Sequence, residues 1–326
     1  MKIQFKQIIL SAVLALAFTA CSDWTTPEAE ELQNLADNSS TIEKTEEYWE
    51  NLRAYKKSDH QLAFGWYGYW DGGIGTTTRG SLASTPDSMD IISIVSKYRF
   101  PLDEKRIADM RYVQEVKGTK VVFMQGMQNI LFGLPNDTSG IVPFANALCD
   151  TVDKYGYDGL DLDYEPNYGG SGFFDNKNYV LRFVQELSKR LGPKSGTDKL
   201  LILDGEVAFI LPEVVQYFNY GISQAYRSTN NASLDSRWTK TKPLGWKPEQ
   251  YLICEEFQQY GTTGGVNFTL PSGEVVPSLI GMALWHPEDG KRKGGCGTFM
   301  MQFDYNNTPD YKYMRQAIQI MNPAVK

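Results

Sequence analysis

The chain has 326 residues, of which 42% are hydrophobic and 22% are charged, enough for one large catalytic domain. Its formal net charge of −7 argues against nucleic acid as a partner. Only two histidines occur, His60 and His286, which excludes a zinc site built from several histidines. We therefore expect no metal and no cofactor.

The first 20 residues have the pattern of a secretory signal peptide. Lys2 and Lys6 precede an apolar stretch over residues 8–18, and small residues then lead to Cys21. This arrangement resembles a bacterial lipoprotein box, in which the cysteine carries the lipid. Ordinary secretion with an incidental cysteine is the alternative.

Residues 21–40 predict a flexible acidic tether. From residue 22 to residue 40 the chain carries five acidic residues and no basic one, with little periodicity. Acidic residues soon after a lipidated cysteine resemble the surface-export signals of Bacteroidetes lipoproteins. We therefore expect a bacterial cell-envelope protein, held by a lipid anchor alone at the outer-membrane surface.

Residues 41–326 alternate short apolar runs with amphipathic stretches, which is typical of a parallel sheet with crossover helices. The predicted strands are 62–67, 90–95, 120–125, 159–164, 200–203, 217–224, 251–255 and 297–303. The predicted helices are 41–57, 103–117, 142–155, 178–191 and 310–321, with only a short one between the fifth and sixth strands. Eight strands in one domain predict an α/β fold, the (β/α)8 TIM barrel.

Three cysteines remain beyond residue 21, namely Cys149, Cys254 and Cys296. An odd number cannot form a complete disulfide framework. We expect buried free thiols and leave one disulfide between two of them open.

The fourth predicted strand carries an unusual row of acids, in the sequence Asp158-Gly-Leu-Asp161-Leu-Asp163-Tyr-Glu165. Strand side chains alternate between faces, so Asp161, Asp163 and Glu165 share one face at intervals of roughly 7 Å. Asp158 lies outside this row and is interpreted as structural. Close like charges raise one another's pKa, so the row indicates function rather than stability.

Two other interpretations of this row compete with a catalytic one. A solvated edge strand is disfavoured by the leucines on the opposite face. A calcium loop would place its glycine after the third acid and a glutamate at position twelve, which this sequence does not do. Acid–base chemistry with paired carboxylates is favoured.

The same eight residues resemble the signature of family 18 glycoside hydrolases, the chitinases and endo-β-N-acetylglucosaminidases, with every defined position filled. The resemblance implies a (β/α)8 barrel and a retaining reaction in which the 2-acetamido group of the substrate is the nucleophile. Glu165 would be the general acid and then the base. Asp163 would hold the acetamide N–H, and Asp161 would share charge or a proton with Asp163.

The resemblance also implies substrate-binding residues at the strand ends. Tyr226 is the candidate for the tyrosine that steadies the acetamide oxygen, with Gln224 beside it, and a buried barrel tyrosine is the alternative. The eighth strand lacks the family's tryptophan floor, so Trp285 or Phe303 would replace it. The other candidates, chosen because polar and aromatic residues gather at strand ends, are Trp66, Tyr67, Trp70, Gln125, Glu255 and Gln302, with Trp238 and Trp246 as further sugar platforms.

The expected partner is a glycan or glycoprotein that contains N-acetylglucosamine, bound by a monomer. No insertion of clear size precedes the eighth strand, although chitinases often have one there. A compact tethered barrel therefore favours an endo-β-N-acetylglucosaminidase that cuts the chitobiose core of N-glycans. A chitinase acting on chito-oligosaccharides and a glycan-binding barrel without turnover are the alternatives.

Overall fold

Parallel strands close into a barrel in the computed structural model, which describes residues 44–73, 79–168, 172–287 and 291–323. In these residues the barrel order is β1-β10-β7-β6-β5-β4-β3-β2, which confirms the predicted (β/α)8 barrel. The signal peptide, the tether and Cys21 lie outside the described residues. The barrel strands are β1 (Leu62–Tyr67), β2 (Ile91–Ile94), β3 (Lys120–Gly126), β4 (Gly159–Tyr164), β5 (Leu200–Gly205), β6 (Tyr220–Gln224), β7 (Tyr251–Glu256) and β10 (Gly295–Phe299).

Helices cover the outside of the barrel. They are α1 (Glu46–Lys56), α2 (Glu104–Glu115), α3 (Ile141–Tyr155), α4 (Lys177–Leu187), α5 (Asn231–Thr241), α6 (Phe257–Tyr260), α7 (Ser278–Leu284) and α8 (Lys312–Met321). Between α6 and α7 an antiparallel hairpin pairs β8 (Asn267–Thr269) with β9 (Val275–Pro277). Within the described ranges, no helix has both the length and the apolar character needed to cross a membrane.

The sixth and eighth barrel strands differ most from the sequence prediction. The sixth strand begins at residue 220 rather than 217, because Pro212–Tyr217 forms a 3-10 helix. The eighth is Gly295–Phe299 rather than 297–303. Met300 adopts a left-handed conformation with φ 55°, and Met301–Asn306 then forms a 3-10 helix, so the extended chain ends four residues before the predicted end.

Side-chain alternation on the strands divides the core into two layers. An inner cluster fills the barrel lumen and includes Phe64, Trp66, Ile202 and Ile222. A larger outer cluster lies between the barrel and its helices. All three cysteines named above are free and buried. The inner layer is aliphatic and aromatic at one end, and the acids of β4 occupy the other.

A buried ion pair joins Lys117, which follows α2, to Asp87 in the loop that precedes β2. Lys117 Nζ lies 2.9 Å from Asp87 Oδ1, and the two side chains are 2% and 8% exposed. The same ammonium donates to two backbone carbonyls at 2.7 and 2.8 Å. Replacing Lys117 with methionine removes the donor to Asp87 Oδ1 and to both carbonyls, while Lys44 and Tyr48 still bind Asp87 Oδ2. We therefore expect the free energy of unfolding to fall by about 1 to 3 kcal/mol.

Chemical denaturation measures this effect, with Lys120→Met as the matched control. Lys120 is 41% exposed and pairs with Asp158 and Asp198 at 3.2 and 3.8 Å. Exposed pairs contribute little, so the control should cost less than about 1 kcal/mol. Equal losses in the two variants would contradict the importance of the buried pair.

Candidate active site

Asp161 lies at the centre of the barrel lumen, on the face of β4 that the sequence predicted. Its side chain is fully buried. Its Oδ2 accepts hydrogen bonds from Trp66 Nε1 at 2.9 Å and Ser93 Oγ at 2.7 Å. Two donors from β1 and β2 therefore hold one oxygen of this carboxyl in place, and Ser93 is a contact that sequence reasoning missed.

Asp163 stands one step nearer the carboxyl end of β4, beside an acid that the sequence analysis did not identify. The register pairs Asp163 with Asp204 of β5, and Asp204 is fully buried. Gln224 Nε2, from β6, donates to Asp204 Oδ1 at 2.9 Å and lies 3.4 Å from Asp163 Oδ1. The signal for Asp204 was present, because it ends an apolar strand run at the catalytic edge of the barrel.

Glu165 follows β4 and is half-buried at the lumen's mouth. Burial raises the pKa of its carboxyl, a hydrogen bond from Gln224 lowers it, and the charge of Glu206 raises it. Gly205, at φ 93°, passes so close that a Cβ would lie 3.1 Å from Glu165 Cγ and 2.5 Å from the Tyr164 carbonyl oxygen. Only glycine allows this approach.

The two inner acids bind protons more tightly than ordinary carboxyls. Burial raises the pKa of Asp161 to about 6, against hydrogen bonds that lower it. Burial also raises the pKa of Asp163 to about 7, with further increases from the charges of Glu165 and Asp161. Carboxyls whose pKa lies near neutral pH can both hold and release a proton, as acid–base catalysis requires.

An aromatic floor lies beside the acids, and its central ring is Phe299 at the end of β10. The centroid of Phe299 is 6.2 Å from that of Trp66 and 6.1 Å from that of Tyr226. All three rings pack with the inner cluster. Phe299 was missed because the predicted eighth strand ended four residues later, at Phe303.

Two predicted sugar contacts, Tyr67 and Trp70, lie in the outer core instead of the lumen. Tyr67 alternates with the inward Trp66 and therefore faces the helices. Trp70 Nε1 donates to Asp109 at 2.8 Å, after a left-handed turn at Tyr69 (φ 54°) has redirected the chain. These rings are fully buried and offer no face to a sugar.

Trp285 is also buried in the outer core, where its Nε1 donates to Asp235 at 2.8 Å. It is therefore not the floor of the lumen. The proposed platforms Trp238 and Trp246 are each 3% exposed in the same outer layer, so they provide no stacking surface either.

Gln125 and Glu255 also alternate out of the lumen, because Met124 and Cys254 before them face inward. Gln125 accepts from Arg99 at 3.0 Å. Glu255 is fully buried and accepts from the Arg227 and Glu256 amides at 2.8 and 2.7 Å. Both side chains therefore bind protein groups outside the lumen, Gln125 the Arg99 side chain and Glu255 two backbone amides.

The remaining candidates lie at the rim or below the site. Gln302 is buried and accepts from the Gly68 amide at 3.1 Å. Phe303 contacts Tyr69 edge to face, with centroids 6.2 Å apart, so it is a rim residue. Asp158 binds the amide of Val121 at 2.8 Å, which confirms its structural role.

The described residues bring Asp161, Asp163, Glu165, Gln224 and Tyr226 to one lumen. Across the described part of the chain, no group of three or more histidine, cysteine or acidic residues is placed to hold a metal ion. Glu165 provides an acid near the solvent, and Asp163 and Asp161 lie deeper in the lumen. The floor around Phe299 provides an aromatic surface for a flat or ring-shaped ligand.

Comparison with known proteins identifies relatives of this barrel. The profile of the family described as "Glycoside hydrolase family 18, BT1044-like" matches residues 25–131 and 133–320. The endo-β-N-acetylglucosaminidase F2 of Elizabethkingia meningoseptica is 29% identical over 308 residues, which cover 84% of this chain and 85% of that protein.

Solved structures of similar proteins share the fold. A selenomethionine BT1044 variant with glutamine in place of a glutamate has a TM-score of 0.77 at 30% identity, and the match covers 85% of this chain and 93% of that chain. The apo endo-β-N-acetylglucosaminidase of Cordyceps militaris has a TM-score of 0.69 at 28% identity, covering 88% and 99%. A double mutant of that enzyme, with a TM-score of 0.65 at 26% identity, was solved with fucosyl-N-acetylglucosamine-Asn, covering 88% and 99%.

Proposed function

Since this chain belongs to glycoside hydrolase family 18, we propose that it is an endo-β-N-acetylglucosaminidase that hydrolyses the chitobiose core of N-glycans. The observation that carries the proposal is the pair Asp163, on the inward face of β4, and Glu165, directly after that strand, both beside Gln224. The similarity to endo-β-N-acetylglucosaminidase F2 over most of both chains supports the substrate. So does the ligand of the Cordyceps militaris enzyme, which ends in the N-acetylglucosamine linked to asparagine.

The proposed reaction begins with proton transfer from Glu165 to the oxygen between the two N-acetylglucosamine residues. The raised pKa of the Glu165 carboxyl favours the protonated form that this step needs. As the bond to the leaving sugar breaks, the acetamide oxygen of the other sugar bonds to its anomeric carbon and forms an oxazolinium ion.

Asp163 would accept a hydrogen bond from the acetamide N–H and balance the positive charge of the oxazolinium ion. Tyr226, beside Phe299, would steady the acetamide oxygen. Glu165, now ionised, removes a proton from water as the water attacks the anomeric carbon. The ring opens, the configuration is retained, and Glu165 is protonated again.

Phe299, rather than Phe303, is expected to be the floor beneath the reacting sugar. Replacing Phe299 with alanine removes a ring that lies between Trp66 and Tyr226, so kcat/KM should fall by about 10- to 100-fold, worth roughly 1 to 3 kcal/mol of stacking and packing. Phe299→Trp should retain most of the activity, because it keeps an aromatic face.

Phe303→Ala is the matched control, since Phe303 contacts Tyr69 at the rim. We expect no more than about a fivefold change in kcat/KM for this variant, because a single aromatic pair contributes only about 1 kcal/mol. Steady-state kinetics on a glycopeptide compares the variants. A larger loss for Phe303→Ala than for Phe299→Ala would reverse the assignment.

The alternative is a chitinase acting on chito-oligosaccharides. Parallel digestion of an N-glycosylated protein and of chito-oligosaccharides separates the two functions. We expect faster release from the glycoprotein. Cleavage of chito-oligosaccharides alone would favour the chitinase, and binding without cleavage of either substrate would favour the non-catalytic barrel.

The sequence also supports a location for this activity. We propose that Cys21 is lipidated and that residues 22–40 hold the barrel away from the outer membrane as a monomer. Metabolic labelling with a radioactive fatty acid should label the wild type and not Cys21→Ser. Protease treatment of intact cells should remove the barrel, and protection of the barrel would contradict surface exposure.

A further inference from the structure

Two buried carboxyl oxygens at the centre of the site have no hydrogen-bond donor among the described residues. They are Asp161 Oδ1 and Asp204 Oδ2, and both side chains are fully buried. The other oxygen of each is satisfied, by Trp66 and Ser93 in one case and by Gln224 in the other. A buried ionised oxygen without a donor is costly, so a proton carried by one of these carboxyls and accepted by the other is favoured.

We propose that Asp204 is the proton-holding positioning residue of the active site, and that its carboxyl proton lies on Oδ2 and is donated to Asp161 Oδ1. A single proton then satisfies both oxygens. Asp204 stays neutral while Asp161 and Asp163 carry the charge. The strand register places Asp204 directly beside Asp163, so the neutral acid adjoins that carboxyl without adding a second charge next to it.

The titratable groups around Asp204 agree with this assignment. Burial raises the pKa of Asp204 well above its usual range, and the charges of Asp161 and Asp163 raise it further. Asp204 in turn lowers the pKa of Asp161 and of Asp163 through hydrogen bonds. Among the described residues, neither Asp161 nor Asp204 forms an ion pair with a cation.

Two further neighbours of Asp204 ionise only at high pH. Burial, and then the charge of Asp204, raise the pKa of Tyr226 at the end of β6. Burial and the neighbouring Cys296 raise the pKa of Cys254 in β7, and Asp204 adds to it. Neither group competes for the proton near neutral pH.

The role of Asp204 in catalysis rests on the proposed function, and it concerns the charge on Asp163. Asp163 must be ionised to accept the acetamide N–H and balance the oxazolinium ion. A neutral Asp204 beside Asp163 adds no negative charge there, so it does not oppose the ionisation of Asp163. Asp204 therefore acts through Asp163 and does not touch the substrate.

The first test needs no substrate and so is independent of the proposed function. Infrared spectra of wild type and Asp204→Asn, with carbon-13-labelled aspartate, are compared at about pH 8, above the pKa of about 6 and about 7 of Asp161 and Asp163. The difference spectrum should show one protonated carboxyl in the wild type. Absence of that band would overturn the proposal.

The second test is the pH profile of kcat on any N-acetylglucosamine substrate that the wild type cleaves. Asp204→Asn is neutral, and its amide can donate to Asp161, so the acid limb should stay in place. Asp204→Ala is also neutral but removes the donor to Asp161, so the acid limb should not move to lower pH, whereas kcat should fall roughly 100-fold because the acids lose a positioning contact. If the alanine variant does not fold, the asparagine variant and the infrared spectra still decide the question.

An acid limb that moves to lower pH in Asp204→Asn would show that the wild-type Asp204 is ionised. That result would overturn the proposal, because removing a neighbouring negative charge lowers the pKa of Asp163. If the wild type cleaves no substrate, the proposed function fails, whereas the infrared spectra still show whether Asp204 is protonated.

Discussion

Glu165→Gln should reduce kcat by at least about 1,000-fold, because one side chain serves as the acid in the first step and the base in the second. Glutamine preserves the size of the side chain and its contact with Gln224 and Gly205. Folding and ground-state binding should therefore persist. Steady-state kinetics gives kcat, and calorimetry with an uncleaved glycopeptide gives Kd.

Glu186→Gln is the matched control for the loss of a carboxylate. Glu186 lies on α4, away from the lumen, and pairs with Lys189. We expect wild-type kcat for this variant. Wild-type turnover in Glu165→Gln would remove Glu165 from the mechanism, and loss of binding together with turnover would indicate structural damage instead.

Asp163→Asn should have opposite effects on activity and stability. Asparagine cannot balance the oxazolinium charge, so we expect kcat to fall about 100- to 1,000-fold. The pKa of Asp163 is raised to about 7 from the ordinary 3.8, first by burial. The stability that accompanies the neutral form is present below about pH 4 and is lost as the pH rises through about 7.

The variant removes this loss, because asparagine stays neutral at every pH. At about pH 8 its free energy of unfolding should exceed that of the wild type by about 1 to 3 kcal/mol, whereas near pH 4 the two proteins should be alike. Denaturation at both pH values measures the difference. A variant less stable than the wild type at pH 8 would contradict the buried-charge interpretation.

The barrel and the acids of β4 could be predicted because the sequence patterns that indicate them lie within single strands and helices. Strands β1 and β4 match their predicted bounds, and alternation correctly assigned Asp161 and Asp163 to the inward face. Local patterns also marked α3, whose carboxyl end is closed by Gly156 at φ 70°.

The errors arose where neighbouring elements decide the direction of a side chain. Trp70 and Trp285 follow their strands or helices through turns that direct them to the outer core. Asp204 ends a local apolar run, but its importance comes from its register with Asp163 on the neighbouring strand, and that pairing is not local. Phe299 replaces Phe303 because the left-handed Met300 ends the strand early.

The most direct test of the proposed function is the intact mass of an N-glycosylated protein before and after digestion by the wild type. Cleavage within the chitobiose core leaves one N-acetylglucosamine on each asparagine, so we expect the bare protein mass plus a single N-acetylhexosamine for each site. An unchanged mass, or loss of the whole glycan including the innermost sugar, would contradict cleavage of the bond that Glu165 and Asp163 are proposed to act on.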